Sequence, residues 1–363
     1  MKIAIVHDSL VEFGGAERVL LAMLATFPSA DLYTSVADQS LAQKYFSSQR
    51  IVTLPISQSY FSHHTSLFQI MASVIWKTLN FEGYDLVIAS AGHLMANLVH
   101  VERPVFVQYI HSPPKNIFGL EDPTPLQRAI PYAPFIKRAY IHALHAARGI
   151  MTNSLHTQDT TQAIGGMSSV CIYPPVSIPR FPPKKKQSDY FLIVSRLDRS
   201  KSIELAIEAC NKLGEHLYIV GVSNEPAYER YLRQIAGPTI EFVGFQPDER
   251  LDEYYARAKA FLFTPENEDF GIAPVEAMAH GVPVISYCGG GAKETVTDGK
   301  SGMFFHQHSS AALTRALRRF RWQDYDPSLL YARAKQFDRR IFQREFRKFV
   351  SGVLEQRKIS ILR

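Results

Sequence analysis

The stretch 266–285, ENEDFGIAPVEAMAHGVPVI, decides how this chain is interpreted. The apolar run AFLFTP comes directly before it and predicts a strand. Apolar residues then recur at helical spacing from about Gly271, and Gly281 with a proline just beyond it is a typical helix end. Strand, loop and helix in this order form the repeating unit of an α/β protein.

Two glutamates in this stretch are placed to contact one ligand. Glu268 falls in the loop after the strand, and Glu276 lies about one turn into the helix. Carboxylates accept hydrogen bonds from hydroxyls, whereas the unpartnered amides at 270–273 and the positive end of the helix dipole suit an anionic oxygen. The pattern favours a ligand that carries hydroxyls and phosphates. A structural helix with an acidic first turn and a solvated glutamate is the alternative.

The same alternation runs through the whole chain and predicts an α/β fold with two doubly wound parallel sheets. The first predicted strand is KIAIVHD at 2–8, and the pattern restarts at YFLIVSRL after a connector. That connector, YPPVSIPRFPP at 173–183, has five prolines in eleven residues and predicts a domain boundary. The tail at 309–320 and 329–358 has helical spacing. Ligands bind at carboxyl strand ends in such sheets, so a cleft between the two sets of ends is expected.

Composition excludes several classes of protein. The chain has 363 residues, of which 46% are hydrophobic and 20% charged, which predicts two globular domains and argues against disorder. Its three cysteines are far apart without a CxxC motif, so a disulfide framework or zinc knuckle is not expected. The first residues, MKIAIVHDSL, suggest a strand rather than a signal peptide, and no apolar run reaches membrane-spanning length. A net charge of +6 suits a nucleotide, a nucleic acid or a lipid headgroup equally.

Basic residues mark a second candidate binding position. In VSRLDRSKS at 194–202, Arg196 ends a predicted strand and Lys201 opens the next helix. Two cations at a strand end beside a helix start suit a diphosphate whose charge grows as it leaves. An isolated pair of this kind would more often be a solvated loop. Its place on the same strand edge as the glutamates favours the functional interpretation.

Two further loops follow predicted strands of the first domain. Gly14 and Gly15 precede the first helix, and glycine lets the backbone approach a ligand closely. The GxGxxG dinucleotide fingerprint is absent, so a structural turn explains them equally well. His111, in QYIHSPPK at 108–115, projects from a rigid loop at a strand end. A structural and a catalytic role for it are equally supported.

Together these motifs resemble those of retaining, nucleotide-sugar-dependent glycosyltransferases of family four, which have the GT-B fold of two Rossmann-like domains. EDFGIAPVEAMAHGVPVI is similar to their E-x7-E signature, SRLDRSKS to their Arg…Lys clamp, GGAERV to their glycine loop and YIHSPP to their histidine loop. The resemblance covers nearly the whole chain in order. It implies an acceptor-side domain at 1–174, to which a C-terminal helix at about 341–363 crosses back, and a nucleotide-sugar-binding domain at 175–340.

The resemblance also implies a role for each candidate residue. His111 and Glu268 are the catalytic candidates: His111 would contact the sugar near the reacting carbon, and Glu268 would hold the sugar. The candidate donor-binding residues are Gly14, Gly15, Arg196, Lys201, Phe270, Gly271, Ile272 and Glu276. Among these, Arg196 and Lys201 would hold the diphosphate and Glu276 the ribose hydroxyls. The base would lie near 243–248.

No metal or other cofactor is expected, because the cations and the helix start would stabilise the leaving diphosphate. DYD at 324–326 matches a metal-binding DxD by its letters but lies in a polar connector, and is interpreted as chance. The start of the chain resembles bacterial mannosyltransferases of O-antigen and surface polysaccharide synthesis, which implies a GDP-mannose donor and a polyprenyl-diphosphate-linked saccharide acceptor. Many relatives have glycine where this chain has Asp269, so the donor sugar stays open, and a UDP-sugar is the alternative.

The acceptor implied by the resemblance leads to an expectation about location. Aromatic and basic residues at 125–148 and apolar residues at 57–77 could lie on an anionic bilayer. Core helices are the alternative. We expect a cytoplasmic protein, peripheral on the inner face of the bacterial inner membrane. An epimerase or hydrolase of the same fold remains a rival. A nucleic-acid-binding module, suggested by arginines at 315–321 and 339–347, would leave 266–285 unexplained, and no nucleic-acid partner is expected.

Overall fold

The computed structural model describes residues 1–54, 65–123, 128, 132–181, 183 and 189–361. The described chain divides into two compact units. One consists of Met1–Pro175 with Arg340–Arg363, and the other of Val176–Arg339. Each unit contains one parallel sheet with helices between successive strands, so the α/β prediction is confirmed.

The first unit is built on a seven-stranded parallel sheet with the order β3-β2-β1-β4-β5-β6-β7. Its strands are β1 (Ile3–His7), β2 (Asp31–Thr34), β3 (Ile51–Thr53), β4 (Leu86–Ala91), β5 (Val105–Ile110), β6 (Gly149–Thr152) and β7 (Val170–Cys171). Its helices are α1 (Gly15–Thr26), α2 (Gln39–Phe46), α3 (Thr65–Ile75), α4 (Lys115–Phe118), α5 (Ala133–Ala146), α6 (Leu155–Gly165) and the last helix of the chain (Arg339–Ile361). Short 3-10 turns cover Trp76–Thr78 and Ala96–Leu98.

Alternating side chains of the central strands fill two cores, one on each face of this sheet. Val87 and Ala89 belong to one core, and Leu86 and Ile88 belong to the other. Strands that are covered by helices on both faces have no polar side. For this reason the strand sequences are continuous apolar runs. Three fully buried side chains of the last helix belong to the second core: Phe342, Phe346 and Val350.

The second unit has a six-stranded parallel sheet with the order β10-β9-β8-β11-β12-β13. Its strands are β8 (Tyr190–Val194), β9 (Leu217–Val220), β10 (Ile240–Gly244), β11 (Ala258–Phe263), β12 (Val284–Tyr287) and β13 (Gly302–Phe305). Its helices are α7 (Ile203–Leu213), α8 (Pro226–Ile235), α9 (Asp248–Arg257), α10 (Ile272–Ala279), α11 (Ala292–Thr295), α12 (Ser310–Arg319) and α13 (Pro327–Ala334). Short 3-10 turns cover Arg199–Lys201, Trp322–Asp324 and Lys335–Phe337. The last helix of the chain is α14.

Strand order reverses at one point in each sheet. In the first unit β1 lies between β2 and β4, and in the second β8 lies between β9 and β11. The chain therefore leaves the two central strands of each sheet in opposite directions, which opens a crevice at their carboxyl ends. The loops after β1, β4, β8 and β11 are the positions at which this topology places a ligand.

The tail differs from the expected continuous helical pattern at 329–358. It forms two helices, Pro327–Ala334 and Arg339–Ile361, with the 3-10 turn Lys335–Phe337 between them. The turn belongs to the second unit, where Phe337 is buried and contacts Phe270 edge to face. A search of the described residues finds no helix with the length and apolar character needed to span a bilayer.

Candidate functional site

Two loops of the second unit meet at the point where its strand order reverses. Arg196 stands two residues beyond the end of β8, and Glu268 lies five residues beyond the end of β11. The backbone of the first loop is tightly constrained, because a Cβ at Gly221 would lie 1.8 Å from the carbonyl oxygen of Ser195. Only glycine allows the end of β9 to approach this loop so closely.

Lys201 and Glu268 form an ion pair between the two loops. Lys201 Nζ donates to Glu268 Oε2 at 2.7 Å, and the side chains are 15% and 27% exposed. Burial alone would lower the pKa of Lys201, but the charge and hydrogen bond of Glu268 together with Asp198 outweigh it, and the pKa is raised. Lys201 therefore carries its full charge. The hydroxyl of Thr264 fixes its backbone by donating to Lys201 O at 2.7 Å.

Arg196 occupies the same loop with a more open side chain. Its Nε lies 3.7 Å from Asp198 Oδ2, and the side chain is 56% exposed. Asp198 also accepts from the amide of Ser200 and so caps the 3-10 turn that carries Lys201. The positive charge of Arg196 by itself would lower the pKa of Lys201, because the two cations lie near each other. The loop presents a largely buried amine and a more exposed guanidinium.

The start of α10 has the geometry expected of an anion-binding helix end. Gly271 precedes the helix with φ +85, and a Cβ there would lie 2.8 Å from the ring of Phe263. Phe270 is buried and its ring contacts Phe337, so its side chain is structural. Within the described chain, no hydrogen bond from the amide of Gly271 or Ile272 is found. The first amides of a helix have no partner inside it.

Glu276 lies on α10 and is held by a tyrosine. Tyr255 OH donates to Glu276 Oε2 at 3.0 Å. The Tyr255 ring stacks on His280 with centroids 5.1 Å apart, and His280 Nε2 lies 2.9 Å from Asp252 Oδ1. The structure describes no hydrogen bond to the other carboxylate oxygen of Glu276 among the residues it covers. One oxygen is thus held by the protein and the other can accept from a ligand hydroxyl.

A run of three glycines supports the loop that carries Glu268. The amide of Gly291 donates to Glu268 O at 2.8 Å. Cβ atoms at Gly289, Gly290 and Gly291 would lie 2.4, 2.3 and 2.4 Å from the carbonyl oxygens of Glu266, Glu268 and Asp269, respectively. The triplet GGG at 289–291 is a sequence signal for this close backbone approach that the predicted site did not include.

The first unit brings His111 into a buried polar chain. His111 follows β5, and its Nε2 lies 2.8 Å from Ser90 Oγ. Ser90 Oγ lies 3.0 Å from His7 Nδ1, and His7 Nε2 lies 3.3 Å from Glu17 Oε1. Burial, and to a smaller extent His7, lowers the pKa of His111 to about 3, so the ring is neutral near pH 7. Asn153 Nδ2 fixes the loop by donating to His111 O at 2.7 Å.

Gly14 and Gly15 lie at the start of α1 in the same unit. Gly14 is the residue before the helix, and its amide donates to Glu17 Oε2 at 2.7 Å, which is half of a capping box. Gly15 is the first helical residue and is exposed. The backbone of both glycines is ordered by the helix start, and Glu17 connects this start to the chain that ends at His111.

The remaining predicted positions are the expected base-binding segment, the DYD sequence and the two expected membrane segments. The segment 243–248 follows β10 and includes Phe245, which is 68% exposed. Asp326 of the DYD sequence caps α13 by accepting from the amide of Ser328 at 2.8 Å, which accounts for it structurally. Across the residues described, no group of three or more His, Cys, Asp or Glu side chains could hold a metal ion. The parts 57–64, 125–127 and 129–131 of the two expected membrane segments lie outside the described residues.

The structure thus places the candidates in two sets. Arg196, Lys201, Glu268 and the start of α10 with Glu276 belong to the second unit. His111, Gly14 and Gly15 belong to the first. Sequence reasoning missed Tyr255, Thr264 and the glycine triplet in one unit, and His7, Ser90 and Glu17 in the other.

Comparison with protein families finds one similarity, which falls in the second unit. Residues 177–335 match the model described as "Glycosyl transferases group 1". The matched range contains Arg196, Lys201, Glu268 and Glu276, together with the strands that position them. It does not include His111 or the glycines of the first unit.

Proteins similar to this chain include two named as mannosyltransferases. The chain is 30% identical to the α-1,3/1,6-mannosyltransferase alg2 of Schizosaccharomyces pombe over 34% of this chain and 31% of that protein. It is 28% identical to the putative colanic acid biosynthesis glycosyltransferase WcaL of Escherichia coli over 49% of this chain and 50% of that protein. The matched stretches thus span about a third to a half of these two relatives. The Kluyveromyces lactis ALG2 protein is 25% identical over 82% of this chain and 71% of its own length.

Solved structures with the same fold cover nearly the whole chain. Anabaena Alr3699/HepE, crystallised in complex with UDP, has a TM-score of 0.75 at 20% identity, with 97% of this chain and 100% of that chain covered. WaaG, a glycosyltransferase involved in lipopolysaccharide biosynthesis, has a TM-score of 0.65 at 16% identity, with 92% and 93% covered. The chain has the two-domain GT-B fold, and its residues 177–335 are similar to the glycosyltransferase group 1 family.

Proposed function

We propose that this protein is a retaining glycosyltransferase that moves mannose from GDP-mannose to a lipid-linked or oligosaccharide acceptor in bacterial surface polysaccharide synthesis. The group 1 domain supports the reaction class. The relatives named as mannosyltransferases support the choice of sugar, and WcaL, named for colanic acid biosynthesis, supports the choice of pathway class. Comparison with the UDP complex of Alr3699/HepE makes a UDP-sugar the second candidate donor.

The observation that carries the proposal is the Lys201–Glu268 pair at the reversal of strand order. A sugar nucleotide presents a phosphate and sugar hydroxyls on neighbouring atoms. An amine and a carboxylate 2.7 Å apart can bind the phosphate and a sugar hydroxyl together. The amine can move to the phosphate while the carboxylate accepts a hydrogen bond from the hydroxyl. The second carboxylate oxygen of Glu276, eight residues after Glu268, offers a place for the ribose hydroxyls.

The proposed mechanism needs stabilisation of a leaving diphosphate. As the anomeric bond breaks, positive charge develops on the sugar and negative charge on the diphosphate. Lys201, Arg196 and the amides at the start of α10 would stabilise that negative charge, and no metal is invoked. We propose that the acceptor hydroxyl attacks from the face that the diphosphate leaves, so that the configuration is retained and the hydroxyl proton passes to the leaving phosphate.

His111 completes the proposed donor contacts as an acceptor for a sugar hydroxyl. A ring with a pKa of about 3 stays neutral throughout the physiological range and retains a lone pair. A neutral imidazole can accept a hydrogen bond without repelling the positive charge that develops on the sugar. The proposed role of His111 is therefore orientation of the sugar rather than proton donation.

The acceptor is proposed to be a polyprenyl-diphosphate-linked saccharide reached from an anionic membrane surface. Three large apolar side chains of α3 and α5 are exposed: Met71 by 46%, Val74 by 66% and Phe135 by 78%. The opposite sides of these helices pack into the core through Phe68 and Tyr140. Exposed apolar residues of this kind support peripheral binding. Sedimentation with anionic vesicles tests it, and an unchanged soluble fraction would remove this part of the proposal.

Nucleotide binding is the first test of the whole proposal. We expect excess GDP in the presence of a chelator to raise the midpoint of thermal unfolding, because a ligand at 100 times its dissociation constant adds about 2.7 kcal/mol. GDP-mannose consumption should then depend on an acceptor, which excludes an epimerase or hydrolase. A shift with UDP alone would move the donor to a UDP-sugar. No shift with GDP, UDP or ADP would contradict the assignment of Lys201 and Glu276.

A further inference from the structure

The strand register of the first unit places a buried chain of polar side chains beneath His111. His7 and Ser90 are register partners on the neighbouring strands β1 and β4, and Ser90 is in turn paired with Tyr109 of β5, two residues before His111. His7 is 1% exposed, Glu17 is 7% exposed and Ser90 is fully buried. Water is thus excluded from the links between Glu17 and His111, and each link must be satisfied by the protein itself.

The direction of this chain follows from its first member. Glu17 Oε2 accepts from the amide of Gly14, and Glu17 Oε1 faces His7 Nε2. As a carboxylate Glu17 has only acceptor atoms, so the proton of this link belongs to His7 Nε2. A His7 ring with this one proton accepts at Nδ1 from the hydroxyl of Ser90. The Ser90 oxygen is left to accept from His111 Nε2.

We propose that Glu17, His7 and Ser90 act as a positioning relay that fixes the proton of His111 on Nε2 and leaves Nδ1 as the hydrogen-bond acceptor that faces the substrate. No hydrogen bond to His111 Nδ1 is found within the described residues. A carboxylate in the first turn of α1 thus determines which nitrogen of a histidine at the end of a different strand carries the proton. The identity of the substrate rests on the proposed function, whereas the proton position does not.

Other charged groups beside the relay are already engaged. Asp8 follows His7, and its carboxylate accepts from the amides of Gly92, Leu94 and Ala96 at 3.0, 2.8 and 2.8 Å. The Tyr109 hydroxyl donates to Ile172 O at 2.8 Å, and its ring meets His111 edge to face. Neither group competes for the His7 or His111 nitrogens that form the relay. Glu17 is therefore the only member of this described cluster that can set its direction.

Glu17→Gln tests the relay directly, because the side-chain amide should reverse the direction of its hydrogen bonds. The amide oxygen must stay on the Gly14 amide, so its NH2 group turns to His7 and donates. His7 then carries its proton on Nδ1 and donates to Ser90, whose hydroxyl donates to His111 Nε2. The proton of His111 moves to Nδ1. Glutamine also retains the cap of α1, since either residue can fill that position of a capping box.

The experiment records ring nitrogen shifts of the ¹⁵N-histidine-labelled protein without any substrate, with a His111→Asn variant for assignment. We expect a pyridine-like Nδ1 and a pyrrole-like Nε2 of His111 in the wild type, and the reverse in Glu17→Gln. Glu12→Gln, an exposed position in the loop before α1, removes the same charge and should leave the His111 tautomer unchanged. In Ser90→Ala the effect of Glu17→Gln on His111 should vanish.

Several results would overturn the relay. These are a wild-type His111 with its proton on Nδ1, an averaged ring in the wild type, or the same tautomer in the wild type and Glu17→Gln. An activity measurement then separates the relay from the function. With the donor and acceptor, Glu17→Gln should lower kcat about tenfold, the scale of one lost hydrogen bond. If the tautomer reverses while kcat is unchanged, the relay stands and the proposed contact of His111 with the sugar is wrong.

Discussion

The strand-end regions of the two units hold their polar side chains in opposite ways. One leaves them partly exposed to solvent, and the other buries them. In the second unit, Lys201 and Glu268 pair with side chains that are 15% and 27% exposed. In the first, His7 and Ser90 are almost completely buried and lie in fixed strand register. A partly exposed ion pair can exchange its partners at small cost. A buried polar chain is costly to break, because each orphaned group loses its partner without gaining water.

This difference predicts two kinds of mutant. Changes at Lys201 or Glu268 should weaken ligand binding and turnover while leaving the stability of the free protein nearly unchanged. Changes at Ser90 or His7 should lower stability even when no ligand is present. The first region can respond to the charge of a substrate, whereas the second holds one geometry in advance.

The largest effect is expected for Glu268→Gln. The amide keeps the shape of the side chain but loses the charge that holds Lys201, and one of its polar groups can no longer accept from a hydroxyl. We expect kcat/KM to fall about 100-fold, which corresponds to about 2.7 kcal/mol of transition-state stabilisation. Steady-state kinetics with donor and acceptor measures it.

The matched control for this variant is Glu266→Gln in the same loop, whose side chain is 63% exposed. It should retain activity within about twofold, since an exposed ion pair contributes little. Chemical denaturation of Glu268→Gln should give a free energy of unfolding within about 1 kcal/mol of the wild type. A loss of stability as large as the loss of activity would remove the contrast between the two regions.

The next effect is a loss of stability in Ser90→Ala. The substitution leaves His7 Nδ1 and His111 Nε2 without the hydroxyl that joins them. Leaving buried polar groups unsatisfied costs about 1–3 kcal/mol, so urea denaturation should show a decrease of about 2 kcal/mol. Ser29→Ala, at an exposed turn of the same unit, should change the free energy of unfolding by less than about 0.5 kcal/mol. Equal free energies of unfolding of the two variants would mean that the hydrogen bonds of Ser90 contribute nothing to stability.

The lowered pKa of His111 should appear in the pH dependence of the free energy of unfolding. Its pKa is lowered to about 3 by burial, with His7 contributing, whereas an unfolded histidine titrates near its ordinary value. The unfolded state therefore binds a proton first, and the stability that neutral His111 provides above about pH 6.5 is lost progressively as the pH falls toward 3. Between pH 7 and 5 the wild type should lose about 2 kcal/mol more than His111→Gln. Parallel pH profiles of the two proteins would contradict this.

Sequence alone predicted most of the local structure around these regions. The strand before 266, the helix start at Gly271 and the end of α10 before Gly281 were all visible, because glycine, proline and apolar spacing act over a few residues. The break of the tail at 335–337 was not visible, because it depends on Phe337 packing beside Phe270, far away in the chain.

The contacts that define each region could not be predicted in the same way. The pairing of His7 with Ser90 depends on strand register, and a shift by one residue would move both side chains to other faces. Sequence reasoning placed Lys201 and Glu268 at one strand edge but could not join their side chains into a pair, because 67 residues separate them. Residue type at a strand end predicts the chemistry, whereas the pairing of side chains requires the folded sheet.

The most direct test of the account is the affinity for GDP of the wild type and of Lys201→Ala, measured by calorimetry with a chelator present. If Lys201 holds the donor diphosphate, its loss removes a charge-assisted contact worth about 1.5–3 kcal/mol, and GDP should bind about 10- to 100-fold more weakly. Lys212→Ala, an exposed lysine on α7, should leave the affinity unchanged. Equal affinity of the wild type and Lys201→Ala for GDP, or binding by neither, would contradict the assignment of this strand-end region to the nucleotide donor.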